Sequence, residues 1–285
     1  AFWSGALTGA GSVSRTDSGT LTFSGDLSGF SGTFTHAAGT TNLTGTAATI
    51  GGNWVLSAGG FNINSTANQT LGGNLSGGGQ FYKIGAGTLT LTGNNVNSGG
   101  SVVGGGVLEA SNVADAGGVG SVGTGYFGVA NDGTFRYTGT GAQSTSRALW
   151  IDTGTGTKTI EVSSATGDLS FTGTGGNINK DFRKTGSGKL TIADDINSGA
   201  TVTLTAGTLN LTGINTYTGA TQINGGTMVL DSATGAIGNT ALTIAAGGTL
   251  KLENSTNNNT NRVCTSAITL TGGTLQFLHD GDSAV

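Results

Sequence analysis

The side chains able to do chemistry are few and scattered. His36 and His279 are the two imidazoles, Cys264 is the single thiol, and the acids Asp115, Asp132, Asp152, Glu161, Asp168, Asp194 and Asp195 are spread along the chain. A nucleophilic centre needs a serine or cysteine beside an oriented base, with donors waiting for the oxyanion. Gly281-Asp282-Ser283 offers a serine, with His279 close in sequence and His36 as the other base. Adjacency along the chain supplies neither orientation nor an oxyanion site, so this run reads as a polar turn. Glycan cleavage asks instead for converging carboxylates. Asp194 and Asp195 are the one adjacent pair among these acids, and neighbours on a strand point to opposite faces, so they are not expected to converge. Cys264 lies beside Val263 and Thr265 and close to Ile268, which suits a small core side chain. A reactive thiol wants a histidine or cation nearby, and a lone cysteine makes no disulfide within its own chain.

Other ligand classes fare no better. Two histidines and one cysteine do not make a zinc site, and the Gly-Gly-x-Gly-x-Asp calcium repeat does not occur, so no metal or cofactor is expected. Gly123-Thr124-Gly125-Tyr126-Phe127-Gly128 spells a dinucleotide pattern but leads towards a strand, whereas pyrophosphate binding needs a helix N-terminus. Trp3, Trp54 and Trp150 would make a sugar platform if exposed; stacked core or end positions are the expectation. A net charge of −4 argues against nucleic acid. Lys180, Arg183, Lys184 and Lys189, with Asp181 among them, read as a solvated coil edge. No apolar run is long enough to span a membrane. Ala1-Phe2-Trp3-Ser4-Gly5 has no initiator Met and no charged region before an apolar run, so the chain is expected to be a processed or excised piece.

What must position these residues is a repeat. Gly-x-apolar-x-apolar begins at Gly19, Gly87, Gly133, Gly188, Gly207, Gly226, Gly248 and Gly273, with a weaker copy at Gly106. Gly188, Gly207 and Gly226 are 19 residues apart, as are Gly87 and Gly106, and later steps are longer. A longer copy is visible too, because Lys83-Ile84-Gly85-Ala86-Gly87 and Lys184-Thr185-Gly186-Ser187-Gly188 align with Gly106 and Gly207 at one common offset. This predicts tandem halves at about 75–175 and 176–285 within a single continuous domain. Fixed-period self-similarity of this length marks a solenoid, and the longer steps are loop insertions.

Each unit alternates apolar and polar residues, as in Thr88-Leu89-Thr90-Leu91, the period of a strand buried on one face. Thr and Val are stiff in a way that suits the pleat, while Gly and Asn fall between the runs. With 56 Gly and 9% charged residues, helix signals are nearly absent. Proline decides among all-β architectures. A sandwich tolerates it on edges and in loops, yet none occurs in 285 residues, as expected if almost every strand lies between two others. These observations predict an all-β, right-handed parallel β-helix of on the order of a dozen coils, with apolar residues inside and Thr, Asn and Ser rows outside.

The block from Gly207 to Leu230, with Asn215-Thr216-Tyr217-Thr218-Gly219 at its centre, resembles the passenger-associated transport repeat of autotransporters, and Lys83 to Gly93 resembles its head. The earlier copy departs from that pattern, reading Asn95-Val96-Asn97-Ser98-Gly99 where the family shows Asn-Thr-Tyr-x-Gly. The resemblance implies a secreted passenger on a Gram-negative cell surface, exported by an outer-membrane β-barrel translocator that this sequence does not include. It implies a structural or adhesive stalk without enzymatic activity, facing glycan or protein of a host or neighbouring cell. Two alternatives remain. One is a fibre subunit that self-associates end to end, because Phe2, Trp3 and Gln276 to Leu278 lack an obvious cap. The other is a polysaccharide-degrading β-helix enzyme. Ice binding through Thr rows ranks below both, since the uneven coil lengths displace such rows.

Overall fold

The computed structural model describes residues 1–115, 118, 120–238, 240–254, 259–263 and 267–279. Cys264 and Gly281-Asp282-Ser283 lie outside them. Among the described residues there is no helix, and the strand ladders set out below run parallel. The chain divides into two compact units, Ala1–Arg136 and Tyr137–Val285.

The first unit is a β-solenoid with three faces. One face stacks Thr20–Phe23, Thr40–Leu43, Gly60–Ile63, Gln80–Lys83, Ser101–Val103 and Phe127–Val129 in unbroken register. A second stacks Thr49–Ile50, Gln69–Leu71, Thr88–Leu91 and Val107–Ala110. A third stacks Ser12–Arg15, Thr33–His36, Asn53–Leu56 and Leu75–Ser76. One turn of chain visits all three faces before it climbs a rung. Alternation does the sorting: in Thr88–Leu91 both leucines are buried and both threonines half-buried. Aromatic rings extend the core from coil to coil, with Phe34 and Trp54 centroids 4.8 Å apart, Trp54 and Phe61 4.9 Å, and Phe61 and Phe81 6.3 Å. Outside, the Asn62 amide donates to Asn42 Oδ1 at 2.6 Å across one rung.

The second unit is built the same way. Gly141–Thr145, Gly167–Phe171, Lys189–Ile192, Thr208–Leu211, Gly226–Leu230, Gly248–Asn254 and Thr274–His279 form one face. Lys158–Val162, Phe182–Thr185, Val202–Leu204, Thr221–Ile223, Leu242–Ala245 and Ile268–Thr271 form another. The Gly-Thr-apolar signal marks the entry to the first of these faces. Gly207 and Gly226 both sit at positive φ, +70° and +78°. A Cβ at Gly207 would collide with the Gly188 carbonyl oxygen, and one at Gly226 with that of Gly207. The coils therefore close at a corner where only glycine fits, for conformation and for room.

The interior corrects one expectation. It is not purely apolar: Arg15, His36, Gln69, Lys83, Asn95, Asn97, Lys158, Lys184, Asn215 and Arg262 are all buried. The basic cluster is accordingly not one solvated edge. Lys184 is fully buried, Lys189 pairs with Asp168 at 3.2 Å, Lys180 is exposed, and Arg183 is half-buried and points the other way from Lys184.

Candidate functional site

The polar residues of the repeat converge on the corners of the coils, where the chain turns and its carbonyls lack ladder partners. Burying a carbonyl without a donor is costly, so each inward corner needs one. Lysine supplies it in two places. Lys184 Nζ donates to the carbonyls of Thr185, Gly186 and Ala206 at 2.7, 2.9 and 3.2 Å, the last lying on the following coil. Lys83 Nζ donates to the Gly85 carbonyl and, at 3.2 Å, to that of Gly105, again one coil on. Burial pushes both ammonium groups down to about 8; Glu161 partly opposes this for Lys184.

Both lysine corners have longer turns than the coils that follow them, but turn length alone does not call for a cation, since four residues also follow the apolar Ile63 and Ile244 in the same rows. Four residues separate Lys83 from Thr88 and Lys184 from Lys189, whereas the next coils have apolar residues at these positions, Val103 and Leu204, and three-residue turns. At the two lysine corners carbonyls face inward, and a long cation fills the space. Elsewhere Lys158 caps Gly154 and Gly156 at 3.0 and 2.9 Å, and Gln69 donates to Gly45 and Ala47 at 3.1 and 2.7 Å. Arg262 grips the Gly235 and Glu253 carbonyls at 2.8 and 2.7 Å.

Asparagine does the same at the opposite corner. Asn215 Oδ1 accepts the Ile196 N–H at 2.9 Å from the coil before, and its amide donates to Gly213 and to Ala236 on the coil after. One side chain thus ties three coils. Asn95 repeats the pattern, accepting the Leu75 N–H at 2.7 Å and donating to Ser121. Thr216 and Thr218 N–H groups reach the Ile196 and Ser198 carbonyls at 2.8 and 2.7 Å, so Asn-Thr-Tyr continues the ladder where no regular strand is formed. Tyr217 points inward, and its hydroxyl lies 2.7 Å from Thr221 Oγ1. In the divergent copy Asn97 takes the place of Tyr217 and Ser101 that of Thr221, and the same bridge persists at 3.3 Å.

The residues first considered for catalysis are spent elsewhere. Asp194 accepts the Gly175 and Gly176 N–H groups at 3.1 and 2.7 Å, while Asp195 caps the Ile214 N–H at 2.7 Å. Asp194 is buried and Asp195 exposed, so the adjacent pair diverges at a bend just past the strand Lys189–Ile192. Asp168 pairs with Lys189, and Glu109 with Arg136 at 3.3 Å. His36 is fully buried, its Nδ1 3.0 Å from Thr41 Oγ1 and 3.3 Å from Arg15 Nη1. Burial, and then the Arg15 charge, hold its imidazole below the usual range. Trp54 is buried, with its indole N–H on the Gly51 carbonyl at 3.1 Å, while Trp3 packs near Phe23. The stretch from Gly123 to Gly128 runs into the strand Phe127–Val129, not a helix. No group of three potential metal ligands occurs among the described residues.

The Lys83, Asn95, Lys184 and Asn215 clamps fall where the passenger-associated-transport-repeat family model matches the chain, at residues 81–110, 182–210 and 206–230, while Gln69, Lys158 and Arg262 lie outside it. These three stretches are similar to passenger-associated transport repeats. They contain Lys83 and Asn95, then Lys184, then Asn215 and Tyr217. The chain is also 34% identical over 157 residues, 53% of its length, to the adhesin BmaC autotransporter of Brucella suis, and it spans 4% of that relative's length. No solved structure matches the chain. The repeats and the relative support a β-helical passenger segment of an autotransporter-type surface protein.

Proposed function

We propose that the chain is a structural and adhesive segment of a secreted passenger, whose coils lock one after another as they emerge on the cell surface. One observation carries this reading: the buried polar side chains of the repeats reach forward. Lys184 completes its shell on Ala206 and Asn215 completes its own on Ala236, each on the next coil. A coil is therefore finished only by its successor, and every addition lowers the free energy of what has already folded. Such a chain resists sliding back through a translocator without a disulfide, in keeping with its single cysteine. The adhesive part of the proposal rests on the relative's name and on the long outward rows of Thr, Asn and Gln. The commitment of the carboxylates to backbone capping and ion pairs favours a non-enzymatic role.

The test places the chain ahead of an outer-membrane translocator barrel and displays it on cells. Externally added protease should reach an epitope tag on the chain, and displaying cells should be retained on glycan- or protein-coated surfaces better than cells carrying the barrel alone. Retention of the tag in the periplasm would overturn the surface reading. Equal retention of both cell types would overturn the adhesive one.

A further inference from the structure

A shallow groove of about 380 Å³ crosses one outer face of the second unit, and its walls include Arg183, Thr201, Thr203, Thr205, Gln222 and Asn224. Registration puts Thr159, Arg183, Thr203, Gln222 and Thr243 in a single outward row, one residue per coil. The row advances by roughly 4.8 Å per coil, the strand spacing. A pyranose unit advances an extended glycan by nearly the same distance, so a glycan lying along the stack meets one hydrogen-bonding side chain per sugar.

The groups in the groove are available. The Arg183 guanidinium pairs with no carboxylate among the described residues, and the Gln222 and Asn224 amides and the Thr203 hydroxyl have no side-chain partner among them. Asp181, also in the groove, already caps the Thr201 N–H at 2.8 Å. A free guanidinium is a planar fork matched to a carboxylate, and amides and hydroxyls beside it suit sugar hydroxyls. The protein's net charge of −4, with Asp181 and Glu161 close by, disfavours a densely sulfated polymer. A glycan with one carboxylate per sugar, hydroxyls around it and no sulfate fits better.

We propose that this groove binds an extended uronic acid glycan along the coil stack, with Arg183 gripping a sugar carboxylate and Thr203, Gln222 and Asn224 holding hydroxyls. The proposal deepens the adhesive reading above and is tested apart from surface display. The experiment is calorimetric titration of the purified full chain with a galacturonate hexasaccharide, a cellulose hexasaccharide and a heparin hexasaccharide. Saturable binding of the galacturonate is expected, at least tenfold tighter than of the neutral sugar and tighter than of the sulfated one. Arg183→Met should weaken it at least tenfold and Arg183→Lys by less, with unchanged amide protection at Thr203 and Thr205 showing that the coil is intact. No saturable binding, equal affinity for the neutral sugar, preference for heparin, or an Arg183→Met variant that binds like the parent would each overturn the proposal. None of these results would alter the protease-accessibility test.

Discussion

Replacing Lys184 by Met keeps most of the length of the side chain and removes its three donors. Hydrogen bonds to a charged group contribute roughly 1.5–3 kcal/mol each, so the three carbonyl contacts sum to roughly 5–9 kcal/mol. Against this stands the cost of holding an ammonium in the interior. A fall from 10.5 to about 8 corresponds to roughly 3 kcal/mol at neutral pH. The difference predicts that Lys184→Met destabilises its corner by about 2–6 kcal/mol. Solenoids open locally, so the assay is amide exchange at Thr205 and Thr208, whose N–H groups donate to Lys184 and Gly188 at 3.0 and 3.1 Å. Exchange there should speed up by roughly 30-fold to 20,000-fold, since 1.4 kcal/mol is a factor of ten. The pH dependence has a definite sign. Between about 8 and 10.5 the unfolded lysine keeps a proton that the folded one has lost, so stability rises as pH rises through this window. The urea midpoint of the parent should therefore climb from pH 8 to pH 10, and that of Lys184→Met should climb less. Exchange within twofold of the parent, or an identical pH trend in both proteins, would refute the corner-clamp argument.

Gly207→Ala should cost at least about 2 kcal/mol, because alanine meets both a positive φ and the Gly188 carbonyl; Gly199→Ala, with open space around the new methyl, should leave the urea midpoint unchanged. Tyr217→Phe strands the Thr221 hydroxyl and should lose about 1 kcal/mol, and adding Thr221→Val should recover most of it, as a double-mutant cycle by denaturant titration would show. The His36 imidazole is held below its usual value of 6.5 by burial, so its contribution is complete above that pH and is lost as pH falls below it. Amide exchange at Ser57, whose N–H donates to the His36 carbonyl, should quicken between pH 7 and pH 5 after correction for intrinsic rates, and His36→Asn should flatten that change.

The β-solenoid was legible because two periods are written directly into the chain: a coil-sized spacing of Gly-Thr-apolar and, within each unit, strict alternation. The inward cations were legible in the same pattern but were masked by their charge. Lys83 stands two residues after Phe81, Lys184 two after Phe182, and Lys158 two before Ile160, so parity alone puts each lysine on the buried face. Charge ordinarily overrides parity, since a lysine is rarely buried without partners. Here the partners are backbone carbonyls of wide turns, which have no residue identity for a sequence to display. Turn length is no trace of them either, since four residues follow Lys83 and Lys184 but also the apolar Ile63 and Ile244 in the same rows. The divergent copy follows from the same logic. Asn97 in place of Tyr217 breaks the family pattern in letters, yet what the corner requires is a polar side chain reaching position 101 or its counterpart 221, and both residues provide it. The groove at Arg183 was hidden for the opposite reason. Its residues lie on different coils and share a row only once register is known, and register across coils depends on the length of every intervening turn. A repeat that tolerates turns of several lengths while keeping its clamps can therefore carry different outer rows on an unchanged interior, and binding specificity in such a chain belongs to the row and not to the repeat.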